Sequence, residues 1–203
     1  MDANFSKYAS YFGRAPDFVR APAGGAKPQV SVGRFPPKPV GFLRQFFVPC
    51  SKVWVYVTWG MSANVMRVSG EEKHAANIEL LAFSKAPLTG AQDGQDMISA
   101  VLQILATIPF QEGIFFAPGF TAAFDEPFSS NPEMRGFLFT EPAGVEMRRL
   151  CACAPGAQLV LSVTPITFSE REYAVKHGPR GLIELFIKQR VENFFDPFRK
   201  AVV

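Results

Sequence analysis

The segment Val53-Trp54-Val55-Tyr56-Val57-Thr58-Trp59 constrains this chain more than any other stretch. Every residue in it is β-branched or aromatic, types that suit a pleated sheet and lose rotamer freedom in a helix. Alternate side chains of an extended segment face opposite ways. Val53, Val55 and Val57 therefore line one face, and Trp54 and Tyr56 the other. Both faces are apolar, which describes a strand lying centrally in its sheet with cover on each side. Gly60 ends it.

The flanking segments supply the partners. Ile78-Glu79-Leu80-Leu81-Ala82-Phe83 reads as a second strand, followed by a loop carrying Gly90 and Gly94. Met97, Ile98, Val101, Leu102, Leu105 and Ile108 recur at helical spacing, with Asp96 as the cap and Pro109 as the stop. The short apolar runs Gly113 to Ala117, Gly136 to Phe139 and Gln158 to Val163 read as strands. A loop through Pro127, Ser129, Ser130 and Pro132 separates the first two. Ser169 and Glu172 have capping-box spacing, with Phe168 and Tyr173 at the staple positions. That helix ends near Gly178-Pro179, and a last helix is expected from Gly181 to Phe195. Helices and strands mix without regular alternation. The expected fold is α+β: a mixed, mostly antiparallel central sheet flanked by helices.

Residues 1–50 have a different character. Phe5, Tyr8, Ala9 and Phe12 mark a short amphipathic helix between Asn4 and Gly13. Such a short helix is marginal alone and must dock on something. Pro16, Pro22, Gly24, Gly25, Pro28, Pro36, Pro37 and Pro39 follow. Proline cannot donate to a ladder, so this stretch is expected to be an arm with one edge strand near Val30 to Phe35. The division is residues 1–50 as arm and 51–203 as domain.

Charge and composition narrow the function. The net charge of +3 comes from 21 basic and 18 acidic residues, interspersed and without a basic stripe, which argues against nucleic acid. No run approaches the roughly 18 apolar residues of a membrane span. The three cysteines, Cys50, Cys151 and Cys153, form no paired framework, and no signal-peptide core is visible, so a reducing cytoplasmic setting is expected.

Reactive constellations are scarce. Of the two histidines, His74 lies in the charged turn Glu71-Glu72-Lys73 and His177 at a helix end, where a cation suits the dipole. Neither stands beside a nucleophile elbow. Cys151-Ala152-Cys153 places two thiols on one side of an extended segment, short of the four ligands of a closed zinc site. Gly24-Gly25 has no phosphate-loop lysine. These readings imply no catalytic residues, no cofactor and no metal. Ser62 or Thr121 with Asp125 would serve the rival reading, a small hydrolase. The loop aromatics Phe120, Phe124 and Phe128, with Glu126 and Met134, are the candidate partner-binding residues. Aromatics and methionine favour the buried centres of protein interfaces, while the bland alternative is that these rings complete the core.

Several segments also resemble a known family in order along the chain. They are Thr58-Trp59-Gly60-Met61-Ser62 (a T-x-G-M-S turn), Ile78 to Phe83 (an E-L strand), Phe116 to Thr121 (a G-H-T segment), Glu133 to Phe139, Pro165-Ile166-Thr167 leading into Glu170-Arg171-Glu172, and Gly181 to Phe186. The chain is similar to the suppressor-of-fused domain from Val53 to its last residue. The resemblance implies an α+β fold, binding without catalysis and a protein partner. It also implies, for short bacterial members, the role of an immunity protein neutralising a toxin. One departure stands out: Phe120 occupies the place of the His in G-H-T, which removes the best acid–base candidate.

Overall fold

The computed structural model describes residues 3–25, 27–38, 50–68, 71–89, 96–143 and 145–203, without the side chains of 67–68 and 71–75. The central strand is where its two apolar faces demand. It is β3 (Trp54–Trp59), between β2 (Ser31–Phe35) and β6 (Ile78–Ser84), in a seven-stranded sheet of order β1-β2-β3-β6-β9-β8-β7. The remaining members are β1 (Phe18–Arg20), β7 (Thr121–Ala123), β8 (Met134–Thr140) and β9 (Leu159–Thr167). All neighbours are antiparallel except β6 and β9, whose parallel register makes the sheet mixed. A small ribbon of β4 (Met66–Val68) and β5 (Glu71–Ala76) stands apart.

Alternation sorts the strands' side chains into two layers. Tyr56, Leu80, Ala82, Leu161, Phe137 and Phe139 face α2 (Met97–Leu105), which contributes Ile98, Val101, Leu102 and Leu105. On the other face, Val55, Val57, Leu81, Phe83 and Val160 meet Phe5, Tyr8 and Phe12 of the N-terminal segment and Leu150 of α4 (Met147–Cys151). Further along that face, Leu138 and Ile166 pack on α5 (Phe168–His177) and α6 (Pro179–Lys188). The fold is α+β, as the pattern required.

The N-terminal helix α1 (Ser6–Phe12) docks through these rings and ends at Gly13 in a left-handed cap with φ 65°. Gly33 lies beneath Phe5, and a Cβ there would come within 2.7 Å of the ring. β2 is not an edge strand, because β1 covers it. Arg34 of β2 holds this corner with bonds to both Asp17 oxygens and to Asp96, while stacking over Phe18 and Trp54.

Several local expectations shift. Asp96 does cap α2, accepting from the Ser99 N–H at 2.8 Å. The helix stops at Leu105, however, and Pro109 opens the next one, α3 (Ile108–Glu112). Residues 114–117 form no strand, because the edge of β8 is taken by Thr121–Ala123 and Phe116 instead packs on Phe139 at 4.3 Å. His74 lies in β5, paired to β4, rather than in a turn. The Cys151-Ala152-Cys153 segment is not extended: Cys151 ends α4 and Cys153 follows in the turn. The expected loop with Gly90 and Gly94 lies outside the described residues.

The capping box is Thr167 with Glu170, two residues earlier than expected. The pattern T/S-x-x-E occurs there in two overlapping registers. Burial of Glu170 against Arg199 selects the first. Thr167→Ala is expected to cost about 0.5–2 kcal/mol, read as a lowered urea midpoint with the slope unchanged. The last helix ends at Lys188, and Arg190 turns left-handed with φ 57°. The turn carries the chain back so that Phe195 enters the core and donates its N–H to the Phe83 carbonyl at 2.6 Å.

Candidate protein-interaction face

The β7 strand forms one margin of the sheet, bonded to β8 alone. Its register pairs Thr121, Ala122 and Ala123 with Leu138, Phe137 and Gly136. Phe120 accepts from the Phe139 N–H at 3.0 Å, and Phe124 donates to the Arg135 carbonyl at 2.8 Å. Antiparallel pairs alternate between bonded and non-bonded positions. Positions 120, 122 and 124 therefore face β8, and the peptide groups of Thr121 and Ala123 face outward. The opposite margin, β1, is more occupied. Gln103 of α2 accepts from the Arg20 guanidinium at 2.9 Å and donates to the Ala21 carbonyl at 2.8 Å.

Beyond β7 the chain enters a loop whose rings sit on the sheet. Phe128 stacks on Phe137 with centroids 4.6 Å apart, and Phe124 meets Phe137 edge-on at 5.1 Å. Phe120 leans on Phe116 at 5.3 Å. All three rings are half-buried, so each contributes to the core while keeping one side at the surface. Met134 is buried completely and supports the loop from beneath. Glu126 is exposed at the tip.

The loop is braced rather than loose. Arg135 donates to the Pro132 carbonyl at 3.0 Å and to the Asp125 carbonyl at 3.3 Å, tying together its two sides. Asn131 accepts from the Glu133 N–H at 3.1 Å and donates to the Pro197 carbonyl at 3.4 Å. Two large apolar residues missed by the sequence reading lie beside it. Phe168, 43% exposed, donates its N–H to the Glu133 carbonyl, and Phe198, 56% exposed, follows Pro197. Phe168 had a signal, the position before a cap, but it pointed to a buried staple. Phe198 had none.

The polar residues that invite a catalytic reading are committed elsewhere. Ser62 is 1% exposed. Its Oγ stands 2.6 Å from Glu79 Oε1 and 3.1 Å from the Pro155 carbonyl oxygen. Glu79, wholly buried, also accepts from the Thr58 hydroxyl at 2.5 Å and from the Gly60 and Ser62 N–H groups at 3.0 Å each. The T-x-G-M-S turn and the E-L strand are thus one network. Gly60 makes the turn with φ 107°, where an added Cβ would lie 2.5 Å from the Gln29 carbonyl. Thr121 and Asp125 stand on β7 and in its loop, away from Ser62's partners. Burial pushes the thiols of Cys50 and Cys153 up to about 11, so both stay protonated near neutrality. Among the described residues, no group of three or more His, Cys, Asp or Glu is placed to hold a metal. No helix there is long and apolar enough to cross a membrane.

Comparison with known families decides the lineage. The family profile described as Suppressor of fused protein (SUFU) matches residues 38–200. The chain belongs to the suppressor of fused family. Solved structures agree on the fold. A SUFU homologue from Neisseria gonorrhoeae superposes with a TM-score of 0.67 at 16% identity, over 98% of this chain and 94% of that one. A chain from a Sufu–Fu complex gives 0.62 at 14%, over 98% and 91%. Drosophila Suppressor of Fused gives 0.56 at 14%, with 85% of this chain covering 42% of the longer fly chain. No curated protein sequence matches at a significant level.

Proposed function

We propose that this chain is a cytoplasmic, non-enzymatic protein-binding domain that takes its partner along the outer edge of β7 and the braced loop through residue 133. One observation carries this reading. The outward peptide groups of Thr121 and Ala123 lie beside half-buried Phe124 and Phe128, exposed Glu126 and the exposed rings of Phe168 and Phe198. An open strand edge offers directional hydrogen bonds, and apolar side chains next to it supply buried area. A suppressor of fused relative captured in a Sufu–Fu complex supports a protein as the occupant of this fold. In its finer form the partner is a toxin, which the chain neutralises as an immunity protein. The family resemblance and a relative from the bacterium Neisseria gonorrhoeae support that form. A hydrolase reading is disfavoured because the Ser62 hydroxyl is buried against Glu79.

The test is purification of the native complex followed by affinity measurement with the recovered partner. Ala123→Pro removes only an outward N–H, so folding is retained while affinity falls at least tenfold, about 1.4 kcal/mol. Glu126→Lys, at an exposed tip, is expected to weaken binding without moving the melting temperature. Unchanged affinity in both variants would place the partner on another surface. Rescue of growth against a co-expressed toxin supports the finer form, and a partner with no toxic activity rejects it.

A further inference from the structure

A second concave surface lies on a different part of the molecule, and nothing in the β7 reading uses it. It is an open groove of about 760 Å³ between α1, α4 and the turn that leads into β9. Its floor is apolar, with Met147, Cys151, Ala154 and Ala157, and its two charged lining residues are Lys7 and Arg148. Both cations are exposed, and neither forms an ion pair with any described residue. Arg149, the next residue, differs: it pairs with Glu146 at 3.6 Å and leans over Tyr11. Among the described residues, the groove lining contains no carboxylate.

The far wall adds a donor. Ala154-Pro155-Gly156-Ala157 is a turn closed by the Ala157 N–H on the Ala154 carbonyl at 3.3 Å, with Gly156 at φ 77°. Proline followed by a glycine of positive φ marks a type II turn. Its central peptide plane has the Pro155 carbonyl 3.1 Å from Ser62 Oγ. The N–H of a trans peptide points opposite to its carbonyl, so the Gly156 N–H points away from Ser62. It has no hydrogen-bond partner among the described residues. The turn is firmly seated, because Ser62 belongs to the Glu79 network and Gln158 donates its N–H to the Asn77 carbonyl at 2.7 Å.

We infer that this groove binds an acidic peptide segment of a protein partner. Two cations without an ion-pair partner among the described residues flank an apolar floor, and a donor stands on the rim. Carboxylates would meet Lys7 and Arg148, and a short apolar side chain between them would rest on Met147 and Ala157. Exposed charges steer and select more than they bind, so the interaction is of moderate strength and sensitive to salt.

The probe is a fluorescein-labelled twelve-residue peptide alternating Glu with Leu and Gly, its Gln-for-Glu counterpart, and anisotropy in low salt with the full chain. Saturable binding of the Glu peptide and at least tenfold weaker binding of the Gln peptide are expected. Lys7→Glu with Arg148→Glu should weaken the Glu peptide at least tenfold without moving the melting temperature. Lys188→Glu, an exposed cation on α6, should leave it unchanged. Equal loss in Lys188→Glu would overturn the inference in favour of overall charge. Displacement of the peptide by millimolar inorganic phosphate would overturn it in favour of a simple anion hole. Self-association of the wild type that disappears in the double reversal would assign the groove to a second copy and overturn it too. Ala123→Pro should not affect this binding, so the two surfaces fail or succeed separately.

Discussion

Arg199→Met is expected to destabilise the protein by about 3–5 kcal/mol, measured by urea denaturation. The guanidinium grips Glu170 with two parallel bonds of 2.6 Å each, and Glu170 is wholly buried. A further donation reaches the Pro165 carbonyl at 2.9 Å, and the planar group covers Phe186 at 4.8 Å. Methionine retains much of the packing and removes every donor. Glu170 would then keep only the Thr167 and Val202 N–H groups, at 2.8 and 2.9 Å. A carboxylate left buried without its cation costs far more than an exposed pair gains. Adding Glu170→Gln to Arg199→Met should recover a large part of the loss, because no buried charge then lacks a partner. A single-variant cost below about 1 kcal/mol would mean that water reaches Glu170 and that the pair behaves as a surface bridge. Residues 196–203 should become sensitive to protease in the single variant, since Arg199 and Val202 both anchor on Glu170.

Glu79→Ala is expected to lose at least about 3 kcal/mol, since it strands several buried donors and opens a cavity. Thr58, Gly60 and Ser62 all direct N–H or O–H groups at this one carboxylate. Glu79→Gln should lose much less near pH 7 and should change the pH profile. Burial pushes the Glu79 carboxyl above its ordinary 4.5, outweighing the bonds from Ser62, Thr58 and Gly60. The folded chain therefore favours the protonated form more than the unfolded chain does. That preference stabilises fully below about pH 4.5 and is lost as pH rises through the higher folded value. The wild type should lose stability across this window relative to Glu79→Gln, in which the contribution is absent. Urea midpoints for both proteins between pH 4 and 8 provide the comparison. Parallel curves would show that the carboxyl titrates normally.

The sheet was legible wherever side-chain periodicity and burial agreed. Val53 to Trp59 announced a central strand because both of its faces are apolar, and Asp96 announced the start of α2 because little else serves as a cap there. Reading failed where two local signals competed and a distant partner decided. Thr167 and Ser169 both offered a cap, and Arg199, some thirty residues on, chose Thr167. Residues 113–117 had strand composition, but pairing depends on which segment reaches β8 first. The last helix was read too long because its apolar spacing continues past Lys188, while Phe195 is required in the core. The candidate face was legible in part. Phe124, Phe128 and Glu126 reach the surface of the loop, whereas Met134 is buried. Phe168 and Phe198 join it only through tertiary folding. Lys7 stands alone and Arg148 belongs only to the pair Arg148-Arg149, so their convergence on one groove was not legible in the sequence.

The parallel junction between β6 and β9 has a kinetic consequence. Every other strand pairing joins segments that are near neighbours along the chain, so two ribbons can zip independently: β1-β2-β3-β6, and β7-β8-β9. Uniting them requires Ile78 to find Leu159, roughly 80 residues away. Closing a loop of that length costs about 4 kcal/mol of chain entropy before any contact rewards it. Folding is therefore expected to be limited by the meeting of the two halves along this seam, and a chain stalled before that moment would carry two unsealed strand margins exposed to its neighbours.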